Sequence, residues 1–178
     1  TDATTVEEVI RKADIALFNA KKEGKNRIVY FDGKIDGKST KRLDLEKHMR
    51  KAAMNACEEF MVYFQPIIDV TGEDTCAGAE ALVRWNSSML GFINPADFIP
   101  LAEYLGLINP IGEHVLYEAA KHCKYWNDMG YPDYKVNVNL SVVQLLQNDV
   151  VKKIKKVIDE VKIKPCNLCL EVTESLAI

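Results

Sequence analysis

Glu80, Asn139 and Glu171 are the residues whose types could carry chemistry together. Each sits in a short run whose alternate residues are apolar. Glu80, Leu82 and Arg84 alternate with Ala77, Ala79, Ala81, Val83 and Trp85; Asn137, Asn139 and Ser141 with Val136, Val138 and Leu140; Cys169, Glu171 and Thr173 with Leu168, Leu170 and Val172. A period of two puts the apolar set on one face of a strand and the polar set on the other. The three residues are oxygen donors, and carboxylates and amides without His or thiolate suit a hard cation such as Mg²⁺ or Mn²⁺ rather than zinc. The same acids would equally serve as partners of bases, since buried acids are usually paired, and Arg84 is near enough in sequence to serve Glu80. Spacing leaves these two readings even.

The other reactive groups read as structure. Five cysteines (Cys57, Cys76, Cys123, Cys166, Cys169) make an odd count in apolar surroundings, and no basic-then-apolar leader opens the chain, which fits a reduced cytoplasmic setting. Cys166 and Cys169 form a C-x-x-C, but no second pair follows to complete a zinc site and Pro165 marks a strand entrance, so core packing is expected of both. His48, His114 and His122 fall in helical stretches without ligand partners. Lys152, Lys153, Lys155 and Lys156 lie opposite Val151, Ile154, Val157, Ile158 and Val161, the pattern of a solvated helix face.

Elements must hold the three oxygen donors in place. Residues 60–69 and 76–85 are strand-like and joined by a turn short enough for a hairpin, so they should pair antiparallel. Asn94-Pro95 and Pro100 mark short helical starts, with Gly106 as a stop. Asn109-Pro110 is an N-cap and N1 pair opening a helix to Gly130 that buries Ile111, Val115, Leu116, Ala119, Cys123 and Trp126. A strand at 135–141, a helix at 149–162 and a strand at 168–174 follow. Strand, helix, strand, helix, strand demands a parallel sheet with helices outside it. An open sheet covered on both faces would be apolar on both, whereas a barrel packs helices outside and lines a mouth with polar groups. Residues 60–178 are about half the ~250 residues of a barrel of eight strand-helix units, so the α/β fold expected is about half of a TIM-like barrel, with an antiparallel first strand from the hairpin.

Upstream, Val6, Val9, Ile10, Ala13, Leu17 and Ala20 recur at helical spacing before Lys21, Lys22 and Gly24, a helix stop. Residues 27–31 read as a short strand, 32–40 as a turn-rich linker, and 41–57 as a helix with Leu45, Met49, Ala52, Ala53 and Ala56 on one side. A helix and a strand of about 30 residues cannot bury a core alone, so the opening segment is expected to be the tail of a preceding domain. Of 178 residues, 48% are hydrophobic, which argues against disorder; 23 basic against 26 acidic groups argue against a general DNA or RNA binder. No apolar run approaches the ~18 residues of a bilayer span.

Glu80-Ala81-Leu82-Val83-Arg84-Trp85 resembles the signature of the EAL family, the cyclic di-GMP phosphodiesterases. Four further blocks follow the family pattern in order: Phe64-Gln65-Pro66-Ile67, the stretch from Asn94 to Glu103 with Gly106, Val138-Asn139-Leu140-Ser141, and Glu171-Val172-Thr173-Glu174-Ser175. Phe64 stands where the family usually has tyrosine. The stretch from Ala13 to Asn26 is similar to the end of a GGDEF domain, the cyclic di-GMP synthase fold. Lys21 and Lys25 match positions that touch substrate triphosphate there, yet without the rest of that domain they read as solvated helix-end charges.

The resemblance implies a domain plan of 1–32 as a helix-strand GGDEF remnant, 33–41 as linker and 42–178 as the N-terminal part of an EAL domain. It implies Glu80, Asn139 and Glu171 as ligands of Mg²⁺ or Mn²⁺, with Glu80 catalytic, and Gln65, Leu82 and Arg84 as contacts to cyclic di-GMP. The implied reaction is hydrolysis of one phosphodiester bond; the alternative is a receptor that binds the dinucleotide without cleaving it. The family's Asp pair, lysine and later Glu and Gln are not in this sequence, so the chain by itself is expected to be inactive and to self-associate or meet a complementing second half.

Overall fold

The computed structural model describes residues 5–22, 24, 26–31, 33–71 and 75–172, with side chains for all of these except 11, 18, 19, 21, 22 and 33–40. The backbone divides into two compact units, Thr1–Lys47 and His48–Ile178. In the first, α1 (Val6–Lys22) opens at Thr5, whose Oγ1 accepts from the Glu8 amide at 3.2 Å, with Glu7 and Glu8 in the first turn where the helix dipole favours acids. Ile15 and Ala20 are buried, while Val6, Val9, Ile10 and Leu17 are exposed. The strand expected at 27–31 does not form: the described residues hold one sheet and this segment is not in it, and a lone strand leaves its amides unpaired. Lys25 and the side chain of Lys21 lie outside the described residues. The segment expected to be a turn-rich linker is helical from residue 33, where α2 (Gly33–Met54) starts. Gly37 inside it costs about 1 kcal/mol against alanine, which an already nucleated helix absorbs because each added residue brings a hydrogen bond.

The second unit is a mixed α/β structure on a sheet ordered β1-β2-β4-β5, with β3 paired to β2. β1 (Phe60–Asp69) and β2 (Thr75–Ser87) pair antiparallel, as the short turn requires. β3 (Gly91–Ile93), which periodicity did not reveal, folds back on the end of β2. β4 (Lys135–Leu140) runs parallel to β2, and β5 (Leu168–Val172) parallel to β4. Residues 173 and 174, expected to extend β5, lie outside the described residues. α3 (Pro95–Tyr104) and α4 (Ile108–Asp128) make the first crossover, α5 (Val142–Leu145) and α6 (Val150–Val161) the second. Gly78 is where β2 closes on β4: φ is +156°, and a Cβ there would stand 2.1 Å from the Lys135 carbonyl oxygen.

One face of the sheet is the core. Ala79, Ala81 and Trp85 of β2 and Val136, Val138 and Leu140 of β4 are buried, as are Ile111, Val115, Leu116, Ala119 and Cys123 of α4. Phe60, Trp85 and Phe98 form a cluster with ring centroids 5.4–5.9 Å apart. Asn94 caps α3 as expected, accepting from the Ala96 amide at 3.0 Å with Pro95 next. Asn109 does not cap α4: the helix starts one residue earlier, and Asn109 donates to the Gly106 carbonyl at 3.2 Å, while Pro110 sits in the first turn where a missing N–H costs nothing. Cys166 and Cys169 are exposed rather than packed, Cys166 in the 3₁₀ turn before β5 and Cys169 on the polar face of β5. Val151, at the start of α6, is also exposed.

Candidate active site

The face opposite the core carries the polar residues of all three parallel strands. Register sets Gln65 against Glu80, Glu80 against Asn137 and Asn137 against Cys169; the next step along β4 and β5 sets Asn139 against Glu171. The side chains then pair crosswise. Asn139 Nδ2 donates to Glu80 Oε1 at 2.7 Å, and Asn137 Nδ2 donates to Glu171 Oε1 at 2.6 Å. A carboxylate only accepts, so each amide must turn its NH₂ to the acid and its Oδ1 away. Each acid keeps a second oxygen outside these two bonds, so the face presents acceptors. The pairing of Glu80 with Arg84 left open by the sequence is not formed: Arg84 Nη1 donates to the Val83 carbonyl at 2.9 Å, and its guanidinium lies 5.8 Å from the centre of the Tyr63 ring.

Tyr63 is the register partner of Leu82, and Met61 of Arg84, so β1 and β2 together place Gln65, Tyr63, Leu82 and Arg84 on the face that holds Glu80. At about 3.4 Å per residue, Arg84 stands roughly 14 Å along β2 from Glu80. Gln65 and Asn139 are exposed, and Glu80, Leu82, Arg84, Asn137 and Glu171 are half-buried.

Buried polar anchors behind this face fix the strand ends. Ser141, directly after Leu140, caps α5 with a reciprocal Gln144 bond at 3.1 Å to its amide, and its Oγ donates to Glu103 Oε1 of α3 at 2.5 Å. Gly112 of α4 leaves room for that glutamine, since a Cβ there would stand 2.0 Å from Gln144 Nε2. Asn167, 2% exposed, donates to the Pro132 and Tyr134 carbonyls at 2.8 and 2.6 Å and so ties the entry of β5 to the entry of β4. At the far end of β2, Glu59 accepts from Trp85 Nε1 at 3.0 Å and from the Ser88 hydroxyl at 2.7 Å. Burial pushes the Glu59 carboxyl up, but the hydrogen bonds from Ser88 and Trp85 outweigh it and hold the group below its ordinary range.

Periodicity put Asn137 on the polar face without giving it a task; its bond to Glu171 depends on register between strands about 30 residues apart. Asn167 lacks any local signal, because its partners lie in a distant loop. Among the described residues no group of three His, Cys, Asp or Glu side chains is arranged to hold a metal ion. Glu80, Glu171 and the amide oxygen of Asn139 nevertheless have the chemistry of a hard-cation shell, so the donors present fit Mg²⁺ or Mn²⁺. Among the described residues no helix is long and apolar enough to cross a membrane.

The EAL domain family model matches residues 47–178. MucR of Pseudomonas aeruginosa, a bifunctional diguanylate cyclase/cyclic di-GMP phosphodiesterase, is 34% identical over 176 residues, which is 99% of this chain and 25% of MucR. The cyclic di-GMP phosphodiesterase PdeR of Escherichia coli is 35% identical over 170 residues, 96% of this chain and 25% of PdeR. In solved structures, the PaMucR phosphodiesterase in complex with c-di-GMP superposes with a TM-score of 0.66 at 36% identity, over 75% of this chain and 53% of that one. The chain thus spans about a quarter of these curated relatives and about half of that solved chain.

Proposed function

The chain belongs to the EAL domain family, and we propose that it supplies the N-terminal part of a module that hydrolyses one phosphodiester bond of cyclic di-GMP to give the linear dinucleotide. The observation that carries this reading is the crosswise set of two carboxylates and two amides on one face, with Gln65, Leu82 and Arg84 reaching the same face. In this reading Glu80, Asn139 and Glu171 hold Mg²⁺ or Mn²⁺. A divalent cation bound there would lower the pKa of a water and hold the attacking and leaving oxygens in line. Arg84 binds a phosphate, for which a planar guanidinium offers two donors at once, and Tyr63 beneath it limits the rotamers it must give up on binding. Gln65 offers an amide to the dinucleotide beside Glu80, and Leu82 gives the apolar wall between Glu80 and Arg84.

The same reading takes the mixed sheet as the first half of a TIM-like barrel, supported by the likeness to about half of the PaMucR phosphodiesterase chain. It takes residues 1–32 as the end of a GGDEF-type domain, supported by alignments with MucR and PdeR that extend over 99% and 96% of the chain, past the EAL match. A cytoplasmic setting accords with five free cysteines.

Chromatography of cyclic di-GMP incubated with the full-length protein tests the proposal. The linear dinucleotide should accumulate with Mg²⁺ or Mn²⁺ and not with EDTA. Tight binding without any cleavage in either cation would instead make the protein a receptor.

A further inference from the structure

We propose that Asn137 is a positioning residue for the cation shell, holding the Glu171 carboxylate in the orientation a divalent ion requires. The inference rests on the reading above, in which Glu171 is a ligand. β5 ends the path of the sheet, so among the described strands only β4 flanks Glu171, and β4 offers it two amides. The nearer in register, Asn139, is already committed to Glu80 at 2.7 Å. Asn137, one step down the strand, reaches up to Glu171 Oε1 at 2.6 Å and is the one hydrogen-bond donor to that acid among the described residues.

The two asparagines therefore divide the work. Asn139 can turn its Oδ1 to a cation while its NH₂ fixes Glu80, so it is a ligand and a support at once. Asn137 is the register partner of Glu80 yet bonds to neither Glu80 nor Gln65, and acts only through Glu171. With one Glu171 oxygen fixed by this bond, the other is the one presented to an ion. Its register neighbour Cys169 is an exposed thiol, a weak donor that would replace the amide poorly. Outer partners of this kind typically contribute 10–100-fold to metal affinity.

Mn²⁺ binding to the full-length protein, followed by the electron paramagnetic resonance of free Mn²⁺, tests the proposal. Asn137→Ala should weaken Mn²⁺ binding by about 10–100-fold. Asn137→Asp, which keeps the volume but swaps the donor for a second carboxylate, should also lose affinity, and Asn137→Ser, with a shorter donor, should fall between Ala and wild type. Cyclic di-GMP binding in EDTA should stay at the wild-type value, which a merely structural role would not allow, and the melting temperature of Asn137→Ala should fall by a few degrees at most, the scale of one lost amide–acid bond. Wild-type Mn²⁺ affinity in both Asn137→Ala and Asn137→Asp would overturn the assignment of Asn137 alone. No Mn²⁺ binding by the wild-type protein would overturn it together with the metal-dependent reading.

Discussion

On the outer face of the sheet, Phe60, Trp85 and Val136 are at most 1% exposed, and their neighbours from α3 and α4 close over them. On the inner face of the same strands, Glu80, Asn137 and Glu171 are half-buried and Asn139 and Gln65 are exposed. One period-two pattern makes both surfaces, but they contribute through different physics. The outer face removes apolar area from water, at roughly 25 cal/mol per Å². The inner face exchanges bonds to water for bonds between amide and acid, which nets about 1 kcal/mol or less for each pair. Stability is therefore concentrated on one side and chemical potential on the other, and substitutions on the two sides should separate cleanly.

The largest expected effect is on the outer side. Trp85→Ala should cost about 3–5 kcal/mol in chemical denaturation, because it opens a cavity between Phe60 and Phe98. Glu80→Ala on the inner side of the same strand should cost about 1 kcal/mol or less, the scale of its one amide–acid pair with Asn139. If the two cost the same, the division between faces is wrong. Gly78→Ala follows, at roughly 1–3 kcal/mol, since its Cβ would meet the Lys135 carbonyl oxygen at 2.1 Å and push β2 from β4. That substitution sharpens the comparison, because prising the strands apart should disturb both faces together and weaken ligand binding as well.

Ser141→Ala should cost about 1 kcal/mol through the lost cap of α5, and it also frees Glu103. Urea unfolding of the Ser141→Ala and Glu103→Gln variants, singly and combined, reads the coupling; strictly additive costs would show that the two do not act as a pair. The smallest effect concerns acid. Because the folded Glu59 carboxyl titrates below its unfolded value near 4.3, its stabilisation is complete above that pH and is lost as pH falls through the folded value. Ser88→Ala removes the hydroxyl donor and should shrink this acid-dependent loss, read as a flatter dependence of the urea midpoint on pH below about 4.3.

The hairpin, both parallel strands and the two-sided pattern were legible in the sequence because alternation is a local signal, and Ala79, Ala81, Val136 and Val138 mark it unambiguously. Residues whose role depends on inter-strand register were not. Asn137 looks like any polar strand position until β5 is set beside it, and Asn167 looks like a turn residue until the β4 entry is known. The cysteines show the reverse failure. Cys57 and Cys123 are buried, the latter with its thiol pushed up to about 11 by that burial, but Cys166 and Cys169 are exposed. Position relative to Pro165 predicted a strand entrance correctly and said nothing about which face it opened on. The turns expected around Gly33 and Gly37 do not form because helical hydrogen bonding extends through both.

The most direct test of the central claim is a paired measurement on Glu80→Ala in the full-length protein: cyclic di-GMP affinity by calorimetry in Ca²⁺, and formation of the linear dinucleotide in Mg²⁺. With Gln65, Leu82 and Arg84 untouched, binding should stay within a few-fold of wild type while cleavage falls by at least about 100-fold, the usual scale for losing a group that acts on the transition state. Near-normal cleavage by Glu80→Ala would contradict the assignment of the inner face as the site of chemistry.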